Sequence, residues 1–561
     1  MAVRIGVMVA YLAVLLAIGL MARARSSRGL TDYFLASRSL SPWVLFLTMA
    51  ATNFSAFTAF GVTGSGWAIG YAFYPIMGFG TGFMALTFYL IGRPMWRLAR
   101  DRDLVTPPQA VGHLTGSPVL RLVFFLVMAT FTLPYLAMQP MAAGYALESL
   151  LGIPYAAGAT LVTAVMLLYT FLGGFRGVAW TDVFQGGMLI VLLTTALVVV
   201  ARPFGGVTAA NLAVAREIPA LFARPGLNGA LSPGIWFGYM LLWFLCDPMF
   251  PQLFQRFFGA RNQRALHTTM TLYPLLTGFL FLLPVSIGVI GRLTFPELPA
   301  GASSDQLLGL LLSRHASPIV EALVLTAALA ALMSTLDSQL LTLSSMFVHD
   351  LWEPLAERLR GKAIGDRFPK QRAEGPSSSS GASPLIGKAF VVVLAVVGLL
   401  IAYRPPATFL EIATETFTGL AVLFPTVIGA LYWRRMDARA AIASIAVGEA
   451  LVVAYHFEWL PTGGTLPVVW VILATCAVLI TGSLLAKPRQ PRPATRPRLA
   501  RFVGWGAAFA GIFLLAQDIW AWGDARTWLL GYPWWVWMSA ALCLVTSLAF
   551  LLLGRRTESE T

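Results

Sequence analysis

Long apolar runs separated by short polar loops recur from one end of the chain to the other. A helix of about twenty apolar residues crosses the ~30 Å hydrocarbon core of a bilayer. On that criterion the pattern predicts spans over 3–21, 41–64, 72–92, 119–147, 155–173, 181–201, 234–257, 269–291, 319–346, 386–404, 409–432, 440–457, 467–486, 503–520 and 534–554. Fifteen such spans leave no room for a sizeable soluble domain. The first run lacks a long basic leader and a clear small-residue cleavage site, so it reads as a retained helix rather than a signal peptide.

The polar residues inside the runs carry the chemistry. The run from Pro318 to Phe347 holds Ser334, Thr335, Asp337 and Gln339, with Ala327, Ala328, Ala330 and Ala331 on the turns before them. Lipid does not accept such groups unless they face a cavity, an ion or another helix. The small residues let a second backbone come close. The local reading is an ion or solute site packed inside a membrane bundle.

Two further runs are interrupted. Asn53, Ser55 and Thr58 fall at the expected midplane of the second, and Cys246-Asp247-Pro248-Met249-Phe250-Pro251-Gln252 places two prolines in the seventh. Proline removes a backbone donor and breaks a helix. Each break opens a block of five spans, 41–201 and 234–432, and an odd number of spans sets the blocks antiparallel. Paired breaks of this kind point to an inverted-repeat transporter with its site between the halves.

Composition narrows the classes. With 58% hydrophobic and 11% charged residues, a soluble globular protein is excluded. The net charge of +14 suggests nucleic acid until it is mapped. Arg23, Arg25, Arg28 and Arg38 follow the first span, and Arg93, Arg97, Arg100 and Arg102 follow the third. Lys487, Arg489, Arg492, Arg496, Arg498 and Arg501 lie between the thirteenth and fourteenth. All these loops share one side if the spans alternate, which makes that side cytoplasmic, the N-terminus external and the C-terminus internal. The three cysteines fall inside spans and form no disulfide or metal framework. Neither a P-loop nor a nucleophile–base constellation occurs, so an ion gradient rather than ATP is the expected driving force and no enzyme is expected. The stretch 362–384 reads as a disordered cytoplasmic linker. Loop 202–233 contains a short helix, Ala209 to Phe222, either an outer lid or a passive surface element.

Three motifs then carry a family resemblance. Asp32-Tyr33-Phe34-Leu35-Ala36-Ser37-Arg38-Ser39-Leu40, the stretch from Gly173-Gly174-Phe175-Arg176-Gly177 to Gln185-Gly186, and Met333-Ser334-Thr335 occur in register. Together they resemble the sodium:solute symporter family, which includes bacterial proline, pantothenate and monocarboxylate symporters and the sodium/glucose cotransporters. The resemblance covers about residues 5–485. It implies an all-α, leucine-transporter-type fold of five plus five inverted core helices. The parts are a leading helix (1–24), a first repeat (41–201), an external loop (202–233), a second repeat (234–432) and about four accessory helices (440–554).

The resemblance also implies a co-transported sodium ion held by the backbone oxygens of Ala51, Phe54 and Ala331 and the hydroxyls of Ser334 and Thr335. Neutral oxygens suit a hard cation that must be released, although Ser and Thr hydroxyls also return to their own helix carbonyls. Asp182, at the cytoplasmic start of the sixth span, falls on the ion exit path that the resemblance implies, with a solvated interfacial or helix-capping carboxylate as the alternative; Asp337, just beyond the hydroxyl pair, either attracts the leaving ion or pairs with a cytoplasmic arginine. Asn53 stands where several relatives carry aspartate, which weakens the local field. Asn53, Ser55, Gln139, Asp247, Phe250 and Gln252 are the candidates for binding solute. Asp247 either accepts a substrate ammonium, carries a coupling proton or lies at the outer mouth. The stretch Pro134–Gln139 resembles monocarboxylate-type members, and 250–252 lacks the Gln and His of proline symporters.

The expected function is sodium-coupled symport of a small organic acid or amino acid by alternating access, in the cell membrane. The partners are solute, sodium ion and lipid bilayer, with neither nucleic acid nor an obligate protein partner. Proton-coupled or uncoupled transport by the same fold is the first rival. A membrane sensor is the second, set against a chain that ends five residues after Arg556 with no signalling module.

Overall fold

The computed structural model describes residues 2–24, 35–359, 382–486 and 503–558. The described structure is helical throughout. In chain order the elements used below are α1 (Ala2–Ala24), α2 (Pro42–Asn53), α3 (Phe57–Ile69), α4 (Phe73–Asp101), α5 (Pro118–Leu151), α6 (Tyr155–Ala201), α7 (Pro233–Cys246) and α8 (Pro251–Gly259). After these come α9 (Gln263–Gly291), α10 (Pro318–Met346), α11 (Ala382–Ala402), α12 (Phe409–Tyr432), α13 (Ala438–His456), α14 (Pro467–Leu485), α15 (Val503–Leu515) and α16 (Trp534–Glu558). Among the described residues, ten helices are long and apolar enough to cross a bilayer, and the bent pair α2–α3 makes an eleventh.

Both predicted interruptions are physical breaks. Between α2 and α3 the axis turns by 61°. Phe54 leaves the helix at φ −85°, ψ 99°, although its N–H still donates to Ala50 O. A break strands backbone donors that must find acceptors. Here Ala56 N–H donates to Gln139 Oε1 (3.2 Å) and Phe57 N–H to Ser55 Oγ (3.2 Å).

The second break has a different cause. α7 stops at Cys246, Asp247–Met249 makes a tight turn, Phe250 is extended at φ −59°, ψ 123°, and Pro251 opens α8. A residue preceding proline is driven out of the helical region, and proline is at ease at the start of a helix.

Close approach holds the broken span against its neighbours. A Cβ on Gly186 of α6 would lie 3.2 Å from Ala51 Cβ, and one on Gly288 of α9 would lie 2.1 Å from Thr63 O. Larger residues at these places would push the bundle open. α2 therefore contacts α6, α9 and α10 at once.

Several expectations change. The predicted spans 155–173 and 181–201 fall within one helical run, α6, and the predicted span 234–257 is two helices. The predicted span 503–520 is helical only as α15, after which Asp518 takes a left-handed conformation at φ 34°. The physical reason is a buried ion pair that draws the chain away: Arg224 Nη1 donates to Asp518 Oδ1, and both side chains are sealed from solvent. The Arg224 guanidinium lies 4.3 Å from the Trp535 ring centroid and 5.0 Å from that of Trp236. Asn211 Nδ2 also donates to Leu530 O (3.1 Å). The C-terminal segment thus clasps the 202–233 loop. In that loop the helix is Val207–Glu217, followed by a tight turn at Pro219–Phe222. Residues 25–34, residues 362–381 of the expected linker and the basic stretch 487–502 lie outside the described residues.

Removing one member of a fully buried pair costs about 3–5 kcal/mol because the other charge is left unpaired. Arg224→Ala should therefore lower the apparent Tm in detergent sharply. Arg224→Met combined with Asp518→Leu should recover most of the loss.

Asp305 supplies a pH-dependent contact. Its Oδ2 accepts the Phe409 N–H at the start of α12 (2.9 Å), and burial pushes its carboxyl up to about 6. A folded pKa raised above the ordinary value contributes stability that is complete at low pH and is lost as pH rises through about 6. Asp305→Asn should therefore raise the apparent Tm over wild type at pH 7.5, and the difference should shrink as pH falls towards 5. A difference independent of pH would contradict this.

Candidate functional site

The end of α2 and the middle of α10 meet at the core of the bundle. Ser334 Oγ lies 3.1 Å from Ala51 O, and Thr335 Oγ1 lies 3.1 Å from Thr52 O and 3.3 Å from Ala331 O. The break exposes the last carbonyls of α2, which have no helical partner, and α10 presents two hydroxyls to them. Ala51, Ala331, Ser334 and Thr335 are therefore brought together, with Phe54 at the break and its ring edge-on to Phe281 at 5.6 Å. Thr52, which the sequence reading omitted, contributes a carbonyl to the same cluster. A cluster of neutral oxygens from two helices is the donor set a hard monovalent cation takes.

Asp182 is not at a solvated helix end. It is fully buried, accepts Ser334 Oγ–H at Oδ1 (2.6 Å), and its Oδ2 accepts from the Thr48 hydroxyl. Arg256 Nη2 also donates to Asp182 Oδ2 (2.8 Å), with both side chains at 0% exposure. The guanidinium is satisfied on every side: Nη2 to Ser338 Oγ (2.8 Å), Nε to Thr48 Oγ1 (3.2 Å) and Nη1 to Gln252 O (3.0 Å). Asp337, buried on the next stretch of α10, lies within electrostatic reach of Arg256. Asp182 and Asp337 thus both lie around the Arg256 guanidinium, beside the oxygen cluster.

Arg256 was missed because it follows Phe254-Gln255 and precedes Phe257-Phe258, where one arginine reads as the charged end of a span. The available signal was Asp182: a carboxylate inside a membrane bundle calls for a cation.

The second polar group lies between the two breaks. Asn53 Nδ2 donates to Tyr273 Oη (2.7 Å) and to Asp247 Oδ2 (3.3 Å), while Cys246 Sγ lies 3.5 Å from Asp247 Oδ1. Ser55 lies beside Tyr135 of α5. The rings of Tyr135, Phe250 and Phe417 cluster beside them, Phe417 edge-on to both others, with centroid separations of 5.2, 5.3 and 4.8 Å. Asn53, Ser55, Asp247 and Phe250 are thus assembled from both breaks. Gln139 accepts Ala56 N–H and donates Nε2–H to Tyr135 O (3.0 Å), which secures the start of α3. Gln252 gives its carbonyl to Arg256, and its buried Oε1 has no hydrogen-bond partner among the described residues.

A helical bundle with a bent span at α2–α3, a second break at Asp247–Phe250 and polar groups between the two has the architecture of a secondary transporter. The sequence pattern of the sodium:solute symporter family matches residues 33–448. The chain belongs to that family, and it is a transporter rather than an enzyme. It couples movement of a small solute to co-transported sodium. Among similar proteins are sodium/proline symporters of Staphylococcus aureus strains JH9 and COL, each 26% identical over 460 residues, covering 80% of this chain and 85% of the relative. The fold matches a substrate-bound, outward-open sodium-coupled sialic acid symporter at a TM-score of 0.70 and 18% identity, over 87% of this chain and 99% of that one. It also matches MHP1, a nucleobase-cation-symport-1 family transporter in a closed conformation, at a TM-score of 0.53 and 13% identity, over 82% of this chain and 96% of that one.

Asp182→Asn leaves the Arg256 guanidinium buried without its carboxylate, a change worth about 3–5 kcal/mol. The single variant should lose expression and thermal stability, and Asp182→Asn with Arg256→Met should regain most of both. A single variant as stable as wild type would show that the pair contributes no structural stability.

Proposed function

We propose that this protein carries one sodium ion at the backbone oxygens of Ala51, Phe54 and Ala331 and the hydroxyls of Ser334 and Thr335. A small organic solute binds between the breaks against Asn53, Ser55, Asp247 and Phe250. The observation that carries the reading is the pairing of the Ser334 and Thr335 hydroxyls with the carbonyls of Ala51 and Thr52 across two helices. A sodium ion at this place replaces those interhelical oxygen–oxygen contacts with ion–oxygen contacts, and so draws α10 onto the break. Asp182 and Asp337 supply the negative field that attracts the ion and guides it out, with Arg256 limiting that field.

In this reading the blocks 41–201 and 234–432 are inverted repeats that rock against each other, α1 leads them and 440–554 is accessory. The N-terminus faces outward, the C-terminus inward, and the membrane is the cell membrane. Sodium/proline symporters among the relatives favour an amino acid over a sugar. The small number of amides and acids near the breaks agrees, because a sugar needs many hydroxyl-reading groups.

The test is uptake into proteoliposomes of labelled acetate, pyruvate, lactate, proline, alanine, pantothenate and glucose. Each is run with an inward sodium gradient, a proton gradient or neither. Sodium-driven accumulation of one solute is expected, reduced at least about 100-fold when Ser334→Ala and Thr335→Ala remove two of five ligands, or roughly 3 kcal/mol. Accumulation driven by protons alone and indifferent to those substitutions would overturn the sodium site and move the coupling role to Asp247.

A further inference from the structure

Asp247 is chemically out of place for a protein that carries a bare carboxylic acid. It lies at the second break, 2% exposed, and among the described residues no arginine, lysine or histidine forms an ion pair with it. Its hydrogen-bond donors are the Asn53 amide and the Cys246 thiol, both neutral. Asp182, the comparable carboxylate one site away, has Arg256 directly on it. A membrane protein keeps an unpaired buried carboxylate where a ligand completes it.

The surroundings specify the ligand. Asn53 holds Asp247 on one side and the Tyr273 hydroxyl on the other, which fixes the carboxylate near the break of α2. Phe250 follows in the same turn, its N–H donating to Asp247 O (3.3 Å), and its ring joins those of Tyr135 and Phe417. Trp243, one turn before Asp247, lies edge-on to Phe417 at 5.3 Å. A carboxylate beside a wall of aromatic rings attracts a cationic nitrogen through direct charge and through the negative faces of the rings. It repels a carboxylate.

We propose that Asp247, with Tyr135, Phe250 and Phe417, forms a subsite for a positively charged nitrogen. The transported solute is then an amino acid or a related small ammonium compound, and a plain monocarboxylate is excluded. This rests on the reading that solute binds between the two breaks.

The test uses the full chain in detergent with sodium chloride and reads binding by thermal shift and by competition with labelled L-proline or L-alanine. The panel contains amino acids, their amine-only analogues, choline, and acetate, propionate, pyruvate and lactate. Nitrogen-bearing members should bind in the presence of sodium, and the four carboxylates should not. Asp247→Asn should weaken that binding at least tenfold, and Phe417→Leu should weaken it more modestly. Stabilisation by sodium alone serves as the check that each variant is folded.

Binding of a plain carboxylate that survives Asp247→Asn would overturn the subsite, as would failure of every nitrogen-bearing member to bind. Nitrogen binding that survives Asp247→Asn, with only the pH dependence of uptake altered, would make Asp247 a proton carrier instead. Sodium stabilisation lost in Ser334→Ala reports on the ion site separately, so the two readings fail independently.

Discussion

The interruption of the second span between Asn53 and Ala56 is the constraint on which the rest of the structure depends. An unbroken helix would satisfy its own carbonyls and offer nothing to an ion. Once the helix stops, Ala51 and Thr52 have carbonyls to give, and the bundle must meet them. α10 does so with Ser334 and Thr335, and α5 supplies Gln139 to the stranded N–H on the far side. The bend also needs room, which Gly186 and Gly288 provide by letting neighbouring helices approach to backbone distance. Polar cluster, small-residue contact and break are thus one solution to one problem: a backbone that cannot be left unsatisfied where water is absent.

Charge is handled in the same economical way. Asp182 sits deep in the bundle, and its ion pair with Arg256 brings α6 and α8 together across the break of α2. The guanidinium spends all its described contacts on oxygen acceptors from α2, α6, α10 and its own helix. Such a network fixes register between helices that otherwise meet through apolar contact. Between the 202–233 loop and the C-terminal segment, Arg224 and Asp518 work in the same manner, and tryptophan rings take the place of additional acceptors.

Much of the candidate site was legible because lipid makes polar residues conspicuous. Ser334, Thr335, Asn53 and Asp247 stand out against apolar neighbours, and each lies at or against one of the two breaks. Gln139 shows the limit. An amide on a helix near the centre reads equally as a solute contact or as a structural clamp, and its bond to Ala56 depends on where the break directs that N–H. Arg256 shows another limit: from the linear pattern its depth could not be distinguished from that of an arginine at a span end. Asp182 was placed at an interface for the same reason.

By itself the sequence determined that this chain is an all-α membrane protein, that two of its spans are broken, and which polar groups lie within them. Those features are local: hydropathy over about twenty residues, proline's missing donor, and the cost of a polar group in hydrocarbon. The tertiary structure decided which groups share a site. Ser334 and Ala51 are 283 residues apart, and Asp182 and Arg256 are 74 apart. Helix packing alone sets those distances, because the side chains that meet depend on rotation and depth of each helix against its neighbours. It also decided that the chain after α15 leaves its helix to reach Arg224, since a buried charge pair outweighs the apolar pattern that would have continued the span.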